Sequence, residues 1–246
     1  DIPAIPASNS VVTCTGTTLG TYTIRNVQNV QLTNEGAWNL SGASFGMVSA
    51  DTGDLTGLVI TNKGTMTWDD ARYGGTGTGS RAAINVFTTG NAATQATTVN
   101  DSVGVINLNV LSSLDNNRAL AGMAVYGGGA NSRVSWNNAG QINVNSTSNN
   151  AKATVSAGFI RGRSQADVVN TGTLTVSELS GNTELTGLEL HMVGGSTVPV
   201  SASLTNSGTI LVSSPTASFA SGVEMGQVAA NSGGLPSSFK LNNSGT

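Results

Sequence analysis

Apolar and polar residues alternate after each of a series of recurring glycines: Gly36, Gly64, Gly104, Gly140, Gly172, Gly208 and Gly245. The second residue after the glycine is apolar, as Trp38, Met66, Ile106, Ile142, Leu174 and Ile210. The fourth residue is also apolar, as Leu40, Trp68, Leu108, Val144, Val176 and Val212. The residue between them is polar in every copy except the last, where it is Leu211. This period of two predicts a strand with one face in a core and the other in solvent.

The residues before each glycine repeat as well. Asparagine stands two positions earlier, as Asn34, Asn62, Asn138, Asn170, Asn206 and Asn243. We interpret the third copy, VNDSVG, as stretched by one residue, with Asp101 in the asparagine's place. An apolar residue stands four positions earlier, as Leu32, Ile60, Trp136, Val168, Leu204 and Leu241. Asn tolerates the left-handed backbone region and Gly prefers it. We therefore expect Asn-x-Gly to be a bend between two strands, with the asparagines hydrogen-bonded in an internal ladder.

Each repeat contains a third stretch rich in apolar residues, such as RAAINVFTTG and TGLELHMVGG. Strand, bend, strand, loop, third strand and loop make one coil of a right-handed parallel β-helix, in which equivalent positions stack. The prediction is an all-β chain with about six to seven coils in residues 30–246, preceded by an N-terminal segment, residues 1–29, that caps the first coil. Glycine spacings that vary from 28 to 40 residues argue against a propeller.

The two ends of the sequence add two expectations. The chain starts DIPAIPASNS without Met, which we interpret as a mature end left after signal-peptide removal, or as an artificial boundary. It stops inside a bend, at Gly245 and Thr246, which favours a fragment of a longer solenoid.

Composition narrows the classes of partner. Charged residues make up 9% of the chain and the net charge is -3. Without a basic stripe, a nucleic-acid partner is not expected, and no apolar run approaches the roughly 20 residues of a membrane helix. The single cysteine, Cys14, excludes an intrachain disulfide. We expect it to be a small, buried apolar residue rather than a reactive thiol.

Candidates for catalysis are few. His191 is the only histidine, and its neighbours Leu190 and Met192 place it on the outward side of a strand, so we interpret it as an exposed surface residue. The nearest resemblance to a polysaccharide-degrading site is TWDDARYGG, with Asp69, Asp70, Arg72 and Tyr73. Adjacent strand residues point to opposite faces, so we interpret the two acids as a solvated loop start.

A further pair of acids comes from aligning two repeats. TGLELHMVGG over ASGVEMGQV places Glu189 and Glu224 one above the other, both outward. The stack is either an acidic patch for a basic partner or a cation, or a coincidence on a polar face. No catalytic residue, cofactor or bound metal is predicted.

The repeated LTNxGTIxV pattern, in an acidic, cysteine-poor chain that starts without Met, resembles the passenger domain of a bacterial autotransporter over about residues 20–246. The resemblance implies export to the cell surface, with anchoring through a C-terminal outer-membrane barrel outside these 246 residues. It also implies display as an adhesin or autoaggregation factor in biofilm formation and virulence or, less often, as an enzyme.

Three functional hypotheses follow. The first is a binding module whose outward polar residues meet the same protein on a neighbouring cell, or a host matrix protein or glycan; its face holds Thr65, Thr67, Asn107, Gln141, Asn143, Thr173, Thr175 and Thr209. The alternative ligand patch, which favours a host matrix protein or a glycan, is Asp69, Asp70, Arg72, Tyr73, Glu189 and Glu224. The second hypothesis is a polysaccharide-binding or -degrading enzyme. The third is a structural shaft like a phage tailspike, which a trimer in solution favours.

Overall fold

The computed structural model describes residues 6–52, 55–73, 79–88, 95–110, 118–148, 153–179, 183–193, 199–217, 219–228 and 237–246. At the strand ends 51–52, 73, 79–80, 88, 118, 227–228 and 237 it describes the backbone alone. No helix in these described ranges has the length and apolar character needed to cross a membrane.

The described residues form three parallel sheets. The first sheet contains β1 (Val11–Cys14), β4 (Gln31–Asn34), β7 (Leu58–Asn62), β10 (Gln95–Asn100), β13 (Arg133–Asn138), β16 (Gln165–Asn170), β19 (Val200–Asn206) and β22 (Ser237–Asn243). The second contains β2 (Thr17–Leu19), β5 (Ala37–Ser44), β8 (Thr65–Tyr73), β11 (Val105–Val110), β14 (Gln141–Ser146), β17 (Thr173–Glu178) and β20 (Thr209–Ser213). The third contains β3 (Tyr22–Arg25), β6 (Val48–Thr52), β9 (Gly79–Thr88), β12 (Arg118–Gly127), β15 (Thr154–Gly162), β18 (Glu184–Val193) and β21 (Phe219–Val228).

The chain visits the three sheets in turn and then returns to the first, so that every third strand pairs in parallel with its equivalent in the previous coil. The described residues contain seven coils of three strands, followed by β22. The predicted parallel β-helix is confirmed. Parallel crossovers of this kind are right-handed in almost all proteins.

The predicted inward columns form the core. Ile106, Ile142 and Leu174 are fully buried and lie in register across β11, β14 and β17. The three tryptophans are also fully buried. Each indole N–H donates to a backbone carbonyl: Trp38 to Gly20 at 2.8 Å, Trp68 to Gly42 at 2.9 Å and Trp136 to Met123 at 3.0 Å. These bonds remove the cost of burying the polar end of the ring.

The predicted asparagine ladder is present, with one correction. The inner ladder runs through Asn34, Asn62, Asn100, Asn138, Asn170, Asn206 and Asn243, each amide N–H donating to the next side-chain oxygen at 2.7–2.9 Å. Its third member is Asn100, so the assignment of Asp101 to that place was wrong. Asn100 stands four positions before Gly104 instead of two, and the two extra residues of this copy are taken up in a turn, in which Gly104 N–H donates to the Asp101 carbonyl at 2.8 Å.

The repeat glycines are needed for a reason other than the predicted one. Neither they nor the inner-ladder asparagines adopt positive φ angles. A Cβ on Gly64 would instead overlap the carbonyl oxygen of Gly36, and a Cβ on Gly172 that of Gly140. The same carbonyls accept interstrand bonds, such as Thr65 N–H to Gly36 O at 2.9 Å. Glycine is therefore required by the close stacking of successive bends.

The segment predicted as a cap contributes three strands, β1, β2 and β3, one to each sheet. It therefore forms a coil that covers the edge of the next one. Cys14 pairs in register with Asn34 and so stands at the end of the inner-ladder column. It is free and buried, as expected, and burial raises the pKa of its thiol.

Candidate functional site

The outward side of the second sheet, here called the second-sheet face, carries the predicted file of polar residues. One row contains Thr65, Val105, Gln141, Thr173 and Thr209, and the next contains Thr67, Asn107, Asn143, Thr175 and Leu211. Thr65 and Gln141 are exposed, and the other polar residues predicted for this face are half-buried. Val105 and Leu211 each interrupt a row with an apolar side chain.

A third row on this face was missed by the sequence reasoning. It is the outer ladder: Asn109 donates to Asp69 at 2.7 Å, Asn145 donates to Asn109 at 3.0 Å, and Ser177 donates to Asn145 at 2.8 Å. In the adjacent row, Asn143 donates to Asn107 at 3.0 Å. All four members of the outer ladder stand five residues after a repeat glycine. That constant offset was the available signal.

Asp69, Asp70 and Arg72 lie on β8, at the edge of the second-sheet face, so the interpretation of the two acids as a loop start was wrong. The pairing of β8 shifts register here, and Asp70 has a φ of 49°. This bulge turns Asp70 outward beside Asp69, although strand alternation would have placed the two on opposite faces. Asp69, Asp70 and Arg72 are all exposed, whereas Ala71 is buried. The side chain of Tyr73 lies outside the described residues.

Glu189 and Glu224 lie on the outward side of the third sheet, in register on β18 and β21. They belong to a different sheet and to later coils than Asp69 and Asp70. The structure therefore separates the six residues of the alternative patch into two clusters.

His191 lies between the two stacked acids. Its Nδ1 is 3.3 Å from Glu189 Oε1 and its Nε2 is 3.1 Å from Glu224 Oε1. The expectation of an exposed histidine was wrong, because 18% of its side chain is accessible. The Phe159 ring packs edge-on against it, with ring centroids 6.4 Å apart.

Glu189 is the most perturbed acid among the described residues. Its side chain is 12% accessible, against 46% for Glu224. Burial, then the charges of Glu224 and Glu184, raise its pKa to about 7, and Arg161 opposes this shift. Glu189 is therefore partly protonated near neutral pH, while an exposed carboxyl remains ionised.

The rest of the third sheet's outward side is less open than the second-sheet face. Ala82, Ala121, Ala124 and Phe159 form a buried apolar cluster there, separate from the main core. Ser156 and Thr186 on the same side are each 1% accessible. The second-sheet face thus offers more accessible polar surface than this part of the third sheet.

Within the described ranges, no group of three or more His, Cys, Asp and Glu side chains has a geometry that could hold a metal ion. Comparison with protein-family models, curated proteins and solved structures finds no match to this chain.

Proposed function

We propose that the chain is a non-catalytic binding module of the bacterial cell surface, an adhesin of the autotransporter-passenger type that associates with itself through the second-sheet face. The observation that carries the proposal is the hydrogen-bonded outer ladder, Asp69–Asn109–Asn145–Ser177, on an open polar face. The proposal assigns the chain no cofactor, metal or catalytic residue, and it places the partner on a neighbouring cell.

Side chains in such a ladder are oriented before any partner arrives. An Asn amide has two N–H donors and an oxygen with two lone pairs. The bonds along the ladder use one donor of Asn145, to Asn109 at 3.0 Å, and one lone pair, which accepts from Ser177 at 2.8 Å. The remaining donor and lone pair are available to a second copy, and less rotamer entropy is lost on binding because the side chain is already fixed.

The size of the face fits weak, repeated association. Seven strands about 4.8 Å apart and about 20 Å long give about 600 Å² per copy. Two copies would bury about 1,200 Å² in total, at the lower limit for specific interfaces. Single pairs are then weak, and many copies displayed together on a cell supply the avidity.

Low charge supports the same partner. With a net charge of -3, two copies of the chain repel each other little at physiological ionic strength. A polar face without a strong field pairs with an identical face at small electrostatic cost. A host matrix protein or a glycan remains the alternative partner of this face.

The test is clumping of beads coated with the purified chain. Changing Thr65, Thr173 and Thr209 to Lys puts three like charges on both partners, and we expect clumping to stop while the circular dichroism spectrum is unchanged. The matched control changes Thr33, Thr61 and Thr205 to Lys, which occupy one outward row of the first sheet. Beads with the control variant should still clump. Equal behaviour of the two variants contradicts the proposed face.

A second candidate, a polysaccharide-binding or -degrading enzyme, is favoured by the Glu189–Glu224 pair. Glycosidases use two carboxyl groups in different environments, one of them protonated near neutral pH, and the pKa of Glu189 is raised to about 7. His191, however, contacts both acids, in the region where a scissile bond would have to lie. Cleavage of a glycan that Glu189→Gln abolishes would favour the enzyme, and a trimer by sedimentation would favour a structural shaft.

A further inference from the structure

Three ionisable side chains connect the sixth and seventh coils on the outward side of the third sheet. Glu189 and His191 belong to β18, and Glu224 belongs to β21. His191 lies 3.3 Å from Glu189 and 3.1 Å from Glu224. Among the strands that the structure describes, β21 is the outermost in this sheet and pairs only with β18.

One atom of the group lacks a partner. Glu189 Oε2 is buried and makes no hydrogen bond. A buried carboxylate oxygen without a donor is costly while the group is ionised, and the cost falls when a proton binds. The next coil places a second carboxylate, Glu224, in register beside it.

We propose that Glu189, His191 and Glu224 form a pH-sensitive lock that holds β21 on β18, and that the lock tightens as the pH falls through neutrality.

The charges around Glu189 decide the direction of the effect. Arg161 on β15 favours the ionised form, whereas Glu184 on its own strand and Glu224 on β21 oppose it; burial is the largest cause of the raised pKa, about 7. At high pH, Glu189 and Glu224 are both negative and repel across the strand pair. At lower pH, Glu189 is neutral and this repulsion is removed, while His191 Nε2 lies 3.1 Å from Glu224 Oε1 across the same strand pair.

The raised pKa of Glu189 determines the direction in which stability changes with pH. The folded chain retains a proton on Glu189 at pH values where an unfolded glutamate, with its ordinary pKa of 4.5, has lost it. Stability therefore falls as the pH rises from about 4.5 through about 7. Between about pH 8 and pH 6 the protonated fraction of Glu189 rises from about one tenth to about nine tenths, which corresponds to about a tenfold change in the opening equilibrium.

The experiment is hydrogen–deuterium exchange of the 246-residue chain, with the rates of β21 amides corrected for the intrinsic pH dependence of exchange. We expect β21 to be about tenfold more protected at about pH 6 than at about pH 8, and β3, at the opposite end of the same sheet, to change little. Glu189→Gln, which mimics the protonated carboxyl, should keep β21 protected at both pH values.

The control variant is Glu35→Gln, an exposed acid that follows β4, and it should keep the wild-type profile. Glu224→Gln removes the repelling charge and should shrink the pH effect. Equal protection of wild-type β21 at the two pH values, or an unchanged pH effect in Glu189→Gln, overturns the proposal. The self-association proposal does not depend on the result, because it concerns a different sheet.

Discussion

The inner and outer ladders use the same side-chain chemistry with nearly the same geometry. Hydrogen bonds along the inner ladder measure 2.7–2.9 Å, and those along the outer ladder 2.7–3.0 Å. Burial is what separates them: Asn138 is 1% accessible, whereas Asn145 is half-buried and Asp69 is exposed. The hydrogen-bond distances alone therefore do not show how much each ladder contributes to stability.

Water decides the energetic difference. If an inner asparagine loses its partner, the remaining donor or acceptor has no replacement, at a cost of about 1–3 kcal/mol. On the second-sheet face, water replaces the lost partner, and the net cost is about 0–1 kcal/mol. The inner ladder therefore fixes the register of the coils, and the outer ladder shapes a surface at little cost to stability.

The largest difference in stability between an inward and an outward substitution is expected at two neighbouring residues of β14. Ile142→Asp places a charge between the buried Ile106 and Leu174, and we expect it to cost more than about 5 kcal/mol or to prevent folding. Asn143→Asp, one position along on the outward side, should cost less than about 1 kcal/mol. Urea unfolding followed by circular dichroism measures both. A soluble, fully folded Ile142→Asp chain contradicts the core assignment.

The second contrast compares the two ladders directly. Asn138→Leu deprives Asn170 Oδ1 of its donor and Asn100 of an acceptor, so we expect a loss of about 2–5 kcal/mol of unfolding free energy. Asn145→Leu removes a donor to Asn109 and an acceptor for Ser177 in the outer ladder, and it should cost less than about 1 kcal/mol. Similar losses in the two variants would mean that burial is not what distinguishes the ladders.

The close stacking of the bends predicts a third, smaller difference in stability, between alanine substitutions at two glycines. A methyl group on Gly172 would overlap backbone atoms of Gly140 and Ala139, whereas one on Gly16 would meet nothing within 4 Å. We expect Gly172→Ala to cost about 1–3 kcal/mol and Gly16→Ala less than about 0.5 kcal/mol. The melting temperatures of the two variants provide the check. A fully stable Gly172→Ala chain would show that the bends can move apart.

The period-two pattern was sufficient to predict the coil and its core, since an inward position such as Ile142 must be apolar in every copy. The inner ladder followed from the same register, except in the third copy, where two inserted residues separate Asn100 from Gly104 and Asp101 was chosen in its place. The outer ladder was missed because an outward position accepts any polar residue, so Asn109 and Asn145 look like ordinary surface asparagines.

Two features of the outward faces depend on tertiary structure and were beyond the pattern. The bulge at Asp70 arises where β8 pairs out of register with β5 and β11. Two adjacent acids in a sequence do not predict a bulge. The burial of Glu189 depends on what packs over the outward side of the third sheet. Strand alternation predicts the side on which a residue lies and cannot predict whether that side is covered.

The smallest expected change in stability carries the most functional information. The double variant Asn109→Ala with Asn145→Ala removes the two central amides of the outer ladder, and we expect its unfolding free energy to fall by less than about 1 kcal/mol. If the ladder is the contact surface, losing two preorganised amides, each worth about 0.5–1 kcal/mol, should weaken self-association about tenfold by sedimentation. The control, Asn137→Ala with Asn242→Ala, removes two outward asparagines from the first sheet and should leave association unchanged. Undiminished association of the outer-ladder variant would exclude that ladder from the interface, while a stability loss as large as that of Asn138→Leu would abolish the distinction between the two ladders.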